Sequence, residues 1–475
     1  MDFARSFGDL ANLPGELGGD LAVWSKRLGL HDGHRFILGP DGRPDLRVNA
    51  CLASAKWRNL GFRTQRDYTY SVGVWLNFLL ALGVNWWEAA EEDAQEFLFW
   101  RVTDPENDET IQTKSFSRDL AALKKFYKMA KKFQVTNPFD DFDAPRATRK
   151  ADVKWLDPAG CKRWLDLGIR GLDLSGRPDK WWRGRNEQRD MAFCDGLYGN
   201  GLRVSEWASV VLPELPPYER RRPYYTCQLA DACAKGGYGH AYWTPRSVMK
   251  ALSSYREGPR AAAVRRAQAV DRYERVSGMR LVLATHGTES VTFQGLRGGS
   301  ERKPWNEIGP RTRLQMFQRT PQGLEPVALW LNEDGLPRDG RGWEHTFDAA
   351  NERIEQLGLE GFSCTAHMLR HSFALKWYAI AKLVHATRVG HLTEDEQADF
   401  RDQFGDSWHL VQTMLGHQRV ETTKEVYLEP FKTLAVEMLL MHADGFPLDT
   451  FVTKTFAGHP RVRTDPVAAL LEMAG

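Results

Sequence analysis

The sequence predicts a mainly α protein with a small antiparallel β-sheet, built as an all-helical domain followed by a mixed α+β domain. Its 475 residues, 42% of them hydrophobic, are enough for two or three ordinary domains with large cores. Apolar residues recur at helical spacing through most of the chain. The clearest strand signal is at Tyr224–Leu229 and His240–Thr244, which a glycine-rich turn separates and which together indicate a hairpin.

The composition argues against several classes of protein. No run of about 18 apolar residues is present, so no membrane span is expected. Met1–Leu10 lacks the apolar segment of a secretory signal. The six cysteines are scattered without a C-x-x-C pair, which favours reduced thiols in a cytoplasmic protein and argues against a zinc site.

Charge is unevenly distributed, although the formal net charge is only +2. Residues 155–393 contain 35 Lys and Arg against 26 Asp and Glu, whereas residues 394–475 contain 7 against 14. The basic segment suggests a polyanionic partner. The acidic segment is either a solvated face or a contact for a basic body.

The first 145 residues are interpreted as an arm followed by a helical domain. Residues 1–45 are rich in Gly, Pro and Asp, with one short helix expected near Leu21–Leu28. Residues 46–145 form the helical domain, with helices expected from the N-cap Thr64 to Gly83, from Asp93 to Arg101, and from Ser117 to Lys132.

The last of these helices carries five lysines, which are Lys124, Lys125, Lys128, Lys131 and Lys132. A run of lysines is most often a solvated face. Beside a basic domain, the same run also favours contacts with phosphates, which are independent of sequence and sensitive to salt.

The connection to the second domain contains two prolines and no apolar period over Asn137–Lys154. We place the linker at residues 146–154 and the second domain at residues 155–430. Asp157 and Pro158 are expected to open its first helix as N-cap and first helical residue. Further elements are expected as strands at Arg280–Ala284, Arg313–Gln318 and Val327–Leu331, and as a helix at Gly342–Leu357.

Arg203 follows a glycine-rich helix end, because the helix at Glu187–Tyr198 stops at Gly199-Asn200-Gly201. It therefore lies at the N-terminus of the next helix, where backbone N–H groups already favour an anion. Glu206, one turn later, could hold its guanidinium. An exposed arginine with no function is the alternative for this position.

Lys235 lies in the glycine turn of the predicted hairpin. A lysine in a turn is normally solvated, although a hairpin tip can also carry an ammonium group into a site. Residues 252–325 follow as a basic stretch whose function the residues do not reveal.

The stretch Ala366–Leu375 reads A-H-M-L-R-H-S-F-A-L. On a helix His367, Arg370 and His371 share one face, and an apolar face at helical spacing would bury the segment. Two imidazoles and a guanidinium suit an anionic oxygen. An ordinary surface helix is the alternative for this stretch alone.

In chain order the sequence contains G-L-R (Arg203), A-K-G-G (Lys235), H-M-L-R-H (His367 and Arg370), L-G-H (His417) and, ten residues later, Tyr427. This series resembles the tyrosine recombinase, or phage integrase, family, whose pattern is an arginine, a hairpin lysine, H-x-x-R, L-G-H and a nucleophilic tyrosine. The helical segment, closing on Asn137-Pro138-Phe139, is also similar to the core-binding domain of that family. Two departures are an insertion at 252–325 and a long interval between Arg370 and His417.

The resemblance implies a site-specific DNA recombinase that cleaves and rejoins strands through a 3′-phosphotyrosyl intermediate, without ATP, a metal or another cofactor. A protein nucleophile conserves the energy of the phosphodiester bond. The implied roles are nucleophile for Tyr427, transition-state binding for Arg203 and Arg370, general acid for Lys235, proton transfer for His367 and a phosphate hydrogen bond for His417. His371 is interpreted as structural, because the family pattern does not require it.

Two other functions stay open from the sequence. One is a topoisomerase-like or resolvase role with the same strand chemistry, and the other is a DNA-binding protein that has lost catalysis. The expected partner is double-stranded DNA. Residues 431–475 form a tail whose apolar helix at Phe431–His442 would, as in the family, dock on a neighbouring protomer in a tetramer on DNA.

Overall fold

The computed structural model describes residues 34–142, 154–295, 299–389, 393, 411, 414–415, 453 and 462–467. The chain divides into two compact units, residues 1–150 and 151–475. The helix expected near Leu21–Leu28, most of the linker, His417, Tyr427 and Phe431–His442 lie outside the described residues. Within the described part, every helix is too short or too polar to cross a bilayer.

The first unit is all-helical in its described part, as predicted. Its α-helices are α1 (Leu46–Leu52), α2 (Ala55–Arg58), α3 (Phe62–Leu82), α4 (Glu91–Val102) and α5 (Thr113–Ala130). One 3₁₀ turn, Lys131–Phe133, continues α5.

Helix α3 ends as predicted and begins earlier than predicted. Gly83 adopts a left-handed φ of 71°, and its N–H bonds back to the carbonyls of the last turn. The N-cap is Gly61, and Thr64 lies inside the first turn, so its assignment as N-cap is wrong. The reason is that Gln65 Nε2 donates to the carbonyls of Arg58 and Leu60, which fixes the preceding turn against the helix start.

An aromatic core holds the first unit together. Trp75 Nε1 donates to Tyr127 Oη at 2.9 Å, and that hydroxyl donates to the carbonyl of Trp86 at 2.8 Å. Both buried polar atoms are therefore satisfied. Phe139 and Phe142, in the segment interpreted as a connection, are buried in this core. Phe139 and Phe142 are not part of a helical repeat, so the periodicity of the sequence did not show that their rings are buried.

The second unit opens with a strand that the sequence did not predict and a helix that it did. Strand β1 (Trp155–Leu156) precedes α6 (Pro158–Trp164). Asp157 Oδ1 accepts from the N–H of Gly160 at 2.7 Å, with Pro158 in the first helical position, so the predicted cap is confirmed.

The remaining α-helices of this unit are α7 (Glu187–Asn200), α8 (Val204–Ala208), α9 (Arg246–Tyr255), α10 (Ala261–Gln268), α11 (Pro310–Leu314), α12 (Gly340–Gln356) and α13 (Ala366–Val389). Its strands after β1 are β2 (Tyr224–Gln228), β3 (Ala241–Pro245), β4 (Arg280–His286), β5 (Ser290–Gln294), β6 (Ser300–Pro304), β7 (Met316–Thr320), β8 (Gly323–Pro326) and β9 (Val462–Arg463).

The predicted hairpin is present, with β2 and β3 paired antiparallel. The fold class is therefore confirmed, but the largest sheet lies in the basic insertion. Its five strands have the order β6-β5-β4-β7-β8, and only the β4–β7 pairing among them is parallel. Arg313, expected in a strand, lies in α11, because Pro310 starts a helical turn there.

The strand expected at Val327–Leu331 is absent, which corrects the prediction. The segment makes only isolated bridges, such as that between Val211 and Ala328. Two of its carbonyl groups are taken by a side chain: Arg260 donates to the carbonyl of Leu329 at 3.1 Å and to that of Ala328 at 3.0 Å. A buried guanidinium thus replaces the neighbouring strand as hydrogen-bond donor.

Four aromatic rings form the centre of the second unit. Phe193 stacks on Trp343, and Trp330 contacts both Trp207 and Trp343 edge-on. Trp207 Nε1 donates to the carbonyl of Phe193 at 3.1 Å, and Trp330 Nε1 donates to that of Trp207 at 2.9 Å. This packing fixes α7, α8 and α12 relative to one another.

Part of the predicted tail packs on the second unit. Strand β9 pairs in parallel with β1, and Asp465 accepts two hydrogen bonds of 2.8 Å from Arg163 of α6. The sequence did not indicate this contact, because a two-residue strand has no period to detect.

Asp119→Ala is expected to destabilise the first unit by about 3–5 kcal/mol, because the substitution leaves Arg101 buried without its partner. Asp119 is buried, 3.4 Å from Arg101 Nε, and also accepts from Ser71 Oγ at 2.7 Å. Urea unfolding of the full chain, followed by circular dichroism, measures the change.

The matched control is Arg63→Ala, which breaks an exposed ion pair with Asp67. Its effect should stay within about 0.5 kcal/mol. Equal effects of the two substitutions would contradict the importance of the buried pair.

Candidate active site

Gly201 connects the end of α7 to the first turns of α13 through its side-chain space and its carbonyl group. This residue closes α7 with a left-handed φ of 69°, and a Cβ there would overlap the ring of Phe373. Glycine is therefore required for both the conformation and the space. Its carbonyl accepts a hydrogen bond from Arg370 Nη1.

Arg203 is the N-cap residue of α8, as the glycine-rich helix end predicted. Its N–H donates to Glu206 Oε2 at 2.8 Å, and its Nη1 donates to Glu206 Oε1 at 2.8 Å. The arginine side chain keeps 24% of its surface exposed, whereas that of Glu206 keeps 1%. The carboxylate thus orients a guanidinium that solvent or a ligand still reaches.

Glu206 also contacts two other predicted site residues. Its Oε1 accepts from the backbone N–H of Lys235 at 3.2 Å, and its Oε2 lies 3.8 Å from Arg370 Nη1. Burial acts to raise the pKa of Glu206, but the charges of Arg203 and Arg370 outweigh it and lower the pKa below its ordinary value. The carboxylate is therefore ionised at neutral pH and links three separate segments of the chain.

Arg370 is buried, with 2% of its side chain exposed. Besides Gly201, its guanidinium contacts the carbonyl of Leu415, to which Nη2 donates at 2.7 Å. Of the two predicted arginines, Arg203 is the more accessible in this structure.

His367 lies one turn before Arg370 on α13, with its ring centroid 4.1 Å from that of His371. Its pKa is lowered by burial first, then by the positive charges of Arg370, Arg203 and Lys235. The ring is therefore neutral at pH 7.

The structure thus brings Arg203, Lys235, His367 and Arg370 together. His417 and Tyr427 lie outside the described residues, and their positions stay predictions. His371 is buried, in keeping with a structural role.

Sequence reasoning missed His240, which precedes β3. Burial lowers its pKa, the charge of Glu206 acts to raise it, and the charges of Arg370 and Arg203 lower it further. One feature of the sequence could have indicated His240: it lies at the base of the hairpin that carries Lys235. Glu206 had been noted only as a partner of Arg203, and its wider role depends on tertiary contacts.

The five lysines lie on α5 and the 3₁₀ turn after it. Lys128 and Lys131 are exposed, while Lys124 and Lys132 reach the backbone carbonyls of Asp140 and Ala50 at 3.4 Å. Their contact with DNA stays a prediction.

Glu206→Gln is expected to destabilise the second unit by roughly 3 kcal/mol at pH 7, because Arg370 stays buried and loses the carboxylate beside it. The folded-state pKa of Glu206 is lowered, so its contribution is present above its unfolded value of 4.5 and is lost as the pH falls through the folded-state pKa. The difference in unfolding free energy between wild type and variant should therefore shrink below pH 4.5.

Chemical denaturation at pH 7, 5 and 3.5 measures this difference. Glu219→Gln, at an exposed carboxylate of the same unit, is the control and should change little at any pH. A difference for Glu206→Gln that is the same at all three pH values would contradict the charge-based account.

Comparison with known proteins finds a phage integrase domain within the first unit. Residues 56–134 match the family model for the phage integrase N-terminal SAM-like domain. Similar solved structures include the XerA recombinase, with 14% identity and a TM-score of 0.30 over 84% of this chain and 99% of that chain. The XerH site-specific recombinase bound to difH substrate has 15% identity and a TM-score of 0.42 over 84% and 83%.

The Tn1549 transposon integrase, in complex with circular intermediate DNA, has 14% identity and a TM-score of 0.41 over 80% of this chain and 94% of that chain. These values describe distant similarity of fold. The family match is the stronger finding, and it falls on the helical unit for which the resemblance was predicted. The chain therefore carries a phage integrase N-terminal SAM-like domain, which confirms the predicted resemblance to the phage integrase family over residues 56–134.

Proposed function

We propose that this protein is a site-specific DNA recombinase of the tyrosine type, which cleaves and rejoins double-stranded DNA to integrate or excise a mobile element. The observation that carries the proposal is that Arg203, Arg370 and the backbone N–H of Lys235 meet at Glu206, with His367 one turn before Arg370 on α13. The phage integrase domain at residues 56–134 supports it independently.

The first chemical step is the attack of the Tyr427 hydroxyl oxygen on the scissile phosphorus. The new phosphorus–oxygen bond forms as the bond to the 5′-oxygen breaks, which gives a 3′-phosphotyrosyl enzyme and a free 5′-hydroxyl. His367 is suited to accept the phenol proton, because its lowered pKa leaves the ring neutral at pH 7. Attack by a second 5′-hydroxyl reverses the step onto another strand.

Arg203 and Arg370 stabilise the charge that develops on the non-bridging oxygens. Guanidinium groups stay protonated and donate in a fixed planar geometry. Glu206 holds both of them, so little reorientation is needed when the charge appears. Loss of one such donor typically costs about 10²–10³ in rate. Lys235 protonates the leaving 5′-oxygen, and His417 donates a hydrogen bond to the phosphate.

The alternatives differ in what happens after cleavage. A topoisomerase-like enzyme would relax supercoiled DNA without joining two sites, and an inactive DNA-binding protein would form no covalent complex. The contacts of Arg203, Lys235 and Arg370 with one buried carboxylate argue against the inactive protein. We further propose that the segment Phe431–His442 docks on a neighbouring protomer in a tetramer on DNA.

The six cysteines are free and buried, in keeping with action in the cytoplasm.

Tyr427→Phe is expected to abolish covalent complex formation on a nicked suicide substrate that carries the ends of the element. Without the phenolic oxygen no phosphotyrosyl bond can form. A denaturing gel that resolves protein–DNA adducts measures the outcome. Tyr224→Phe, at an exposed tyrosine of the same unit, should trap DNA as the wild type does. Trapping by Tyr427→Phe at the wild-type level would show that another residue is the nucleophile.

The double substitution Lys128→Ser and Lys131→Ser is expected to weaken duplex binding and to reduce the slope of log K against log salt concentration by about 2, since each phosphate contact contributes roughly 0.9. Fluorescence anisotropy between 50 and 300 mM salt measures this slope. Lys162→Ser, at an exposed lysine of the other unit, serves as control. An unchanged slope would remove these lysines from the DNA-contacting surface.

A further inference from the structure

We propose that the basic insertion at 252–325 positions Lys235, and that Asn306 is the positioning residue through which it acts. The inference rests on the proposed function, in which Lys235 protonates the leaving 5′-oxygen. It assigns a role to a segment for which neither the sequence nor the comparisons gave one.

Three hydrogen bonds join Asn306 to the loop between β2 and β3. The N–H of Asp231 donates to Asn306 Oδ1 at 2.7 Å, and Asn306 Nδ2 donates to Asp231 Oδ2 at 2.5 Å. The N–H of Ala232 donates to the carbonyl of Asn306 at 3.0 Å. One asparagine thus satisfies both a backbone donor and a side-chain acceptor of the loop, an arrangement for which its amide is suited.

Asp231 also forms a hydrogen bond with the other end of the loop. Its second oxygen, Oδ1, accepts from the N–H of Gly239 at 2.5 Å and so closes the loop on the far side. Gly239 is required there, because a Cβ would overlap the carbonyl of Leu229. Lys235 lies midway, four residues from each end of this closure, and its own N–H is held by Glu206. The backbone on both sides of the lysine is therefore fixed.

The turn that carries Asn306 is in turn fixed to the body of the second unit. Arg313 is buried and donates to both oxygens of Glu214 at 2.6 and 2.7 Å. The same guanidinium donates to the carbonyls of Trp305 at 2.8 Å and Ile308 at 2.7 Å, on either side of Asn306. The turn cannot shift without breaking these bonds, so it can act as a rigid support.

Loss of the contact between Asp231 and Asn306 should cause a specific kinetic defect. Asp231 and Asn306 are exposed, so replacing either should leave the fold intact. What should change is the order of the loop between Asp231 and Gly239. A less ordered loop places the ammonium of Lys235 in reach of the leaving oxygen less often, and general acid catalysis of this kind contributes about 10²–10⁴ in rate.

The test compares two suicide substrates that differ in one atom. In the first the scissile bond joins phosphorus to the 5′-oxygen, and in the second a bridging sulfur replaces that oxygen. A thiol has a pKa of about 8.5, so the thiolate leaves without a proton donor. Wild type, Asn306→Ala, Lys235→Ala and the control Gln294→Ala, which lies at the exposed end of β5 in the insertion, are assayed on both substrates.

We expect Asn306→Ala to slow cleavage of the oxygen substrate by about tenfold and Lys235→Ala by about a hundredfold or more. Both variants should cleave the sulfur substrate at close to the wild-type rate, and Gln294→Ala should match the wild type on both. Equal slowing of Asn306→Ala on the two substrates, or none on the oxygen substrate, would overturn the inference. If the wild type formed no covalent complex with either substrate, the proposed function would fail as well.

An exchange of the two side chains provides an independent check. Asp231→Asn alone sets two amide groups facing each other, and Asn306→Asp alone sets two carboxylates facing each other. The double variant restores a donor opposite an acceptor. We expect each single variant to slow cleavage of the oxygen substrate and the double variant to recover most of the rate. Defects that add up in the double variant would overturn the inference.

Discussion

The interaction on which the second unit depends is the buried ion cluster around Glu206. A fully buried carboxylate is strongly unfavourable unless opposite charges and hydrogen bonds compensate it. Arg203, Arg370 and the backbone of Lys235 supply that compensation, and they come from three segments far apart in the chain. Satisfying one carboxylate therefore assembles the groups that the proposed chemistry needs.

The cluster has more positive than negative charge, and this excess suits a phosphate. Arg203, Lys235 and Arg370 outnumber the single carboxylate, and His367 stays neutral because these cations and burial lower its pKa. An anionic ligand would neutralise the excess positive charge. A preformed site of this kind stabilises the negative charge that develops in a transition state.

A second buried pair, Arg313 with Glu214, connects the insertion to the same region. Glu214 follows Glu206 by eight residues, so the two carboxylates anchor neighbouring parts of the unit. The five-stranded sheet is therefore attached through buried charge as well as through its apolar contacts. An insertion held in this way is placed to affect the hairpin loop beside it.

The resemblance of the ordered motifs to the tyrosine recombinase family implied the set of residues expected to carry catalysis. The sequence by itself determined the fold class and the helix ends that depend on Gly83, Asp157 and Gly201. Local rules suffice there, because caps, glycine turns and helical periods act over a few residues. Only the tertiary structure decided that Glu206 joins that set, that Phe139 and Phe142 belong to the first core, and that Arg260 takes the carbonyls of an expected strand. These outcomes depend on burial and on partners that are distant in the chain. The periodicity of a sequence does not identify which donors a buried polar group will contact.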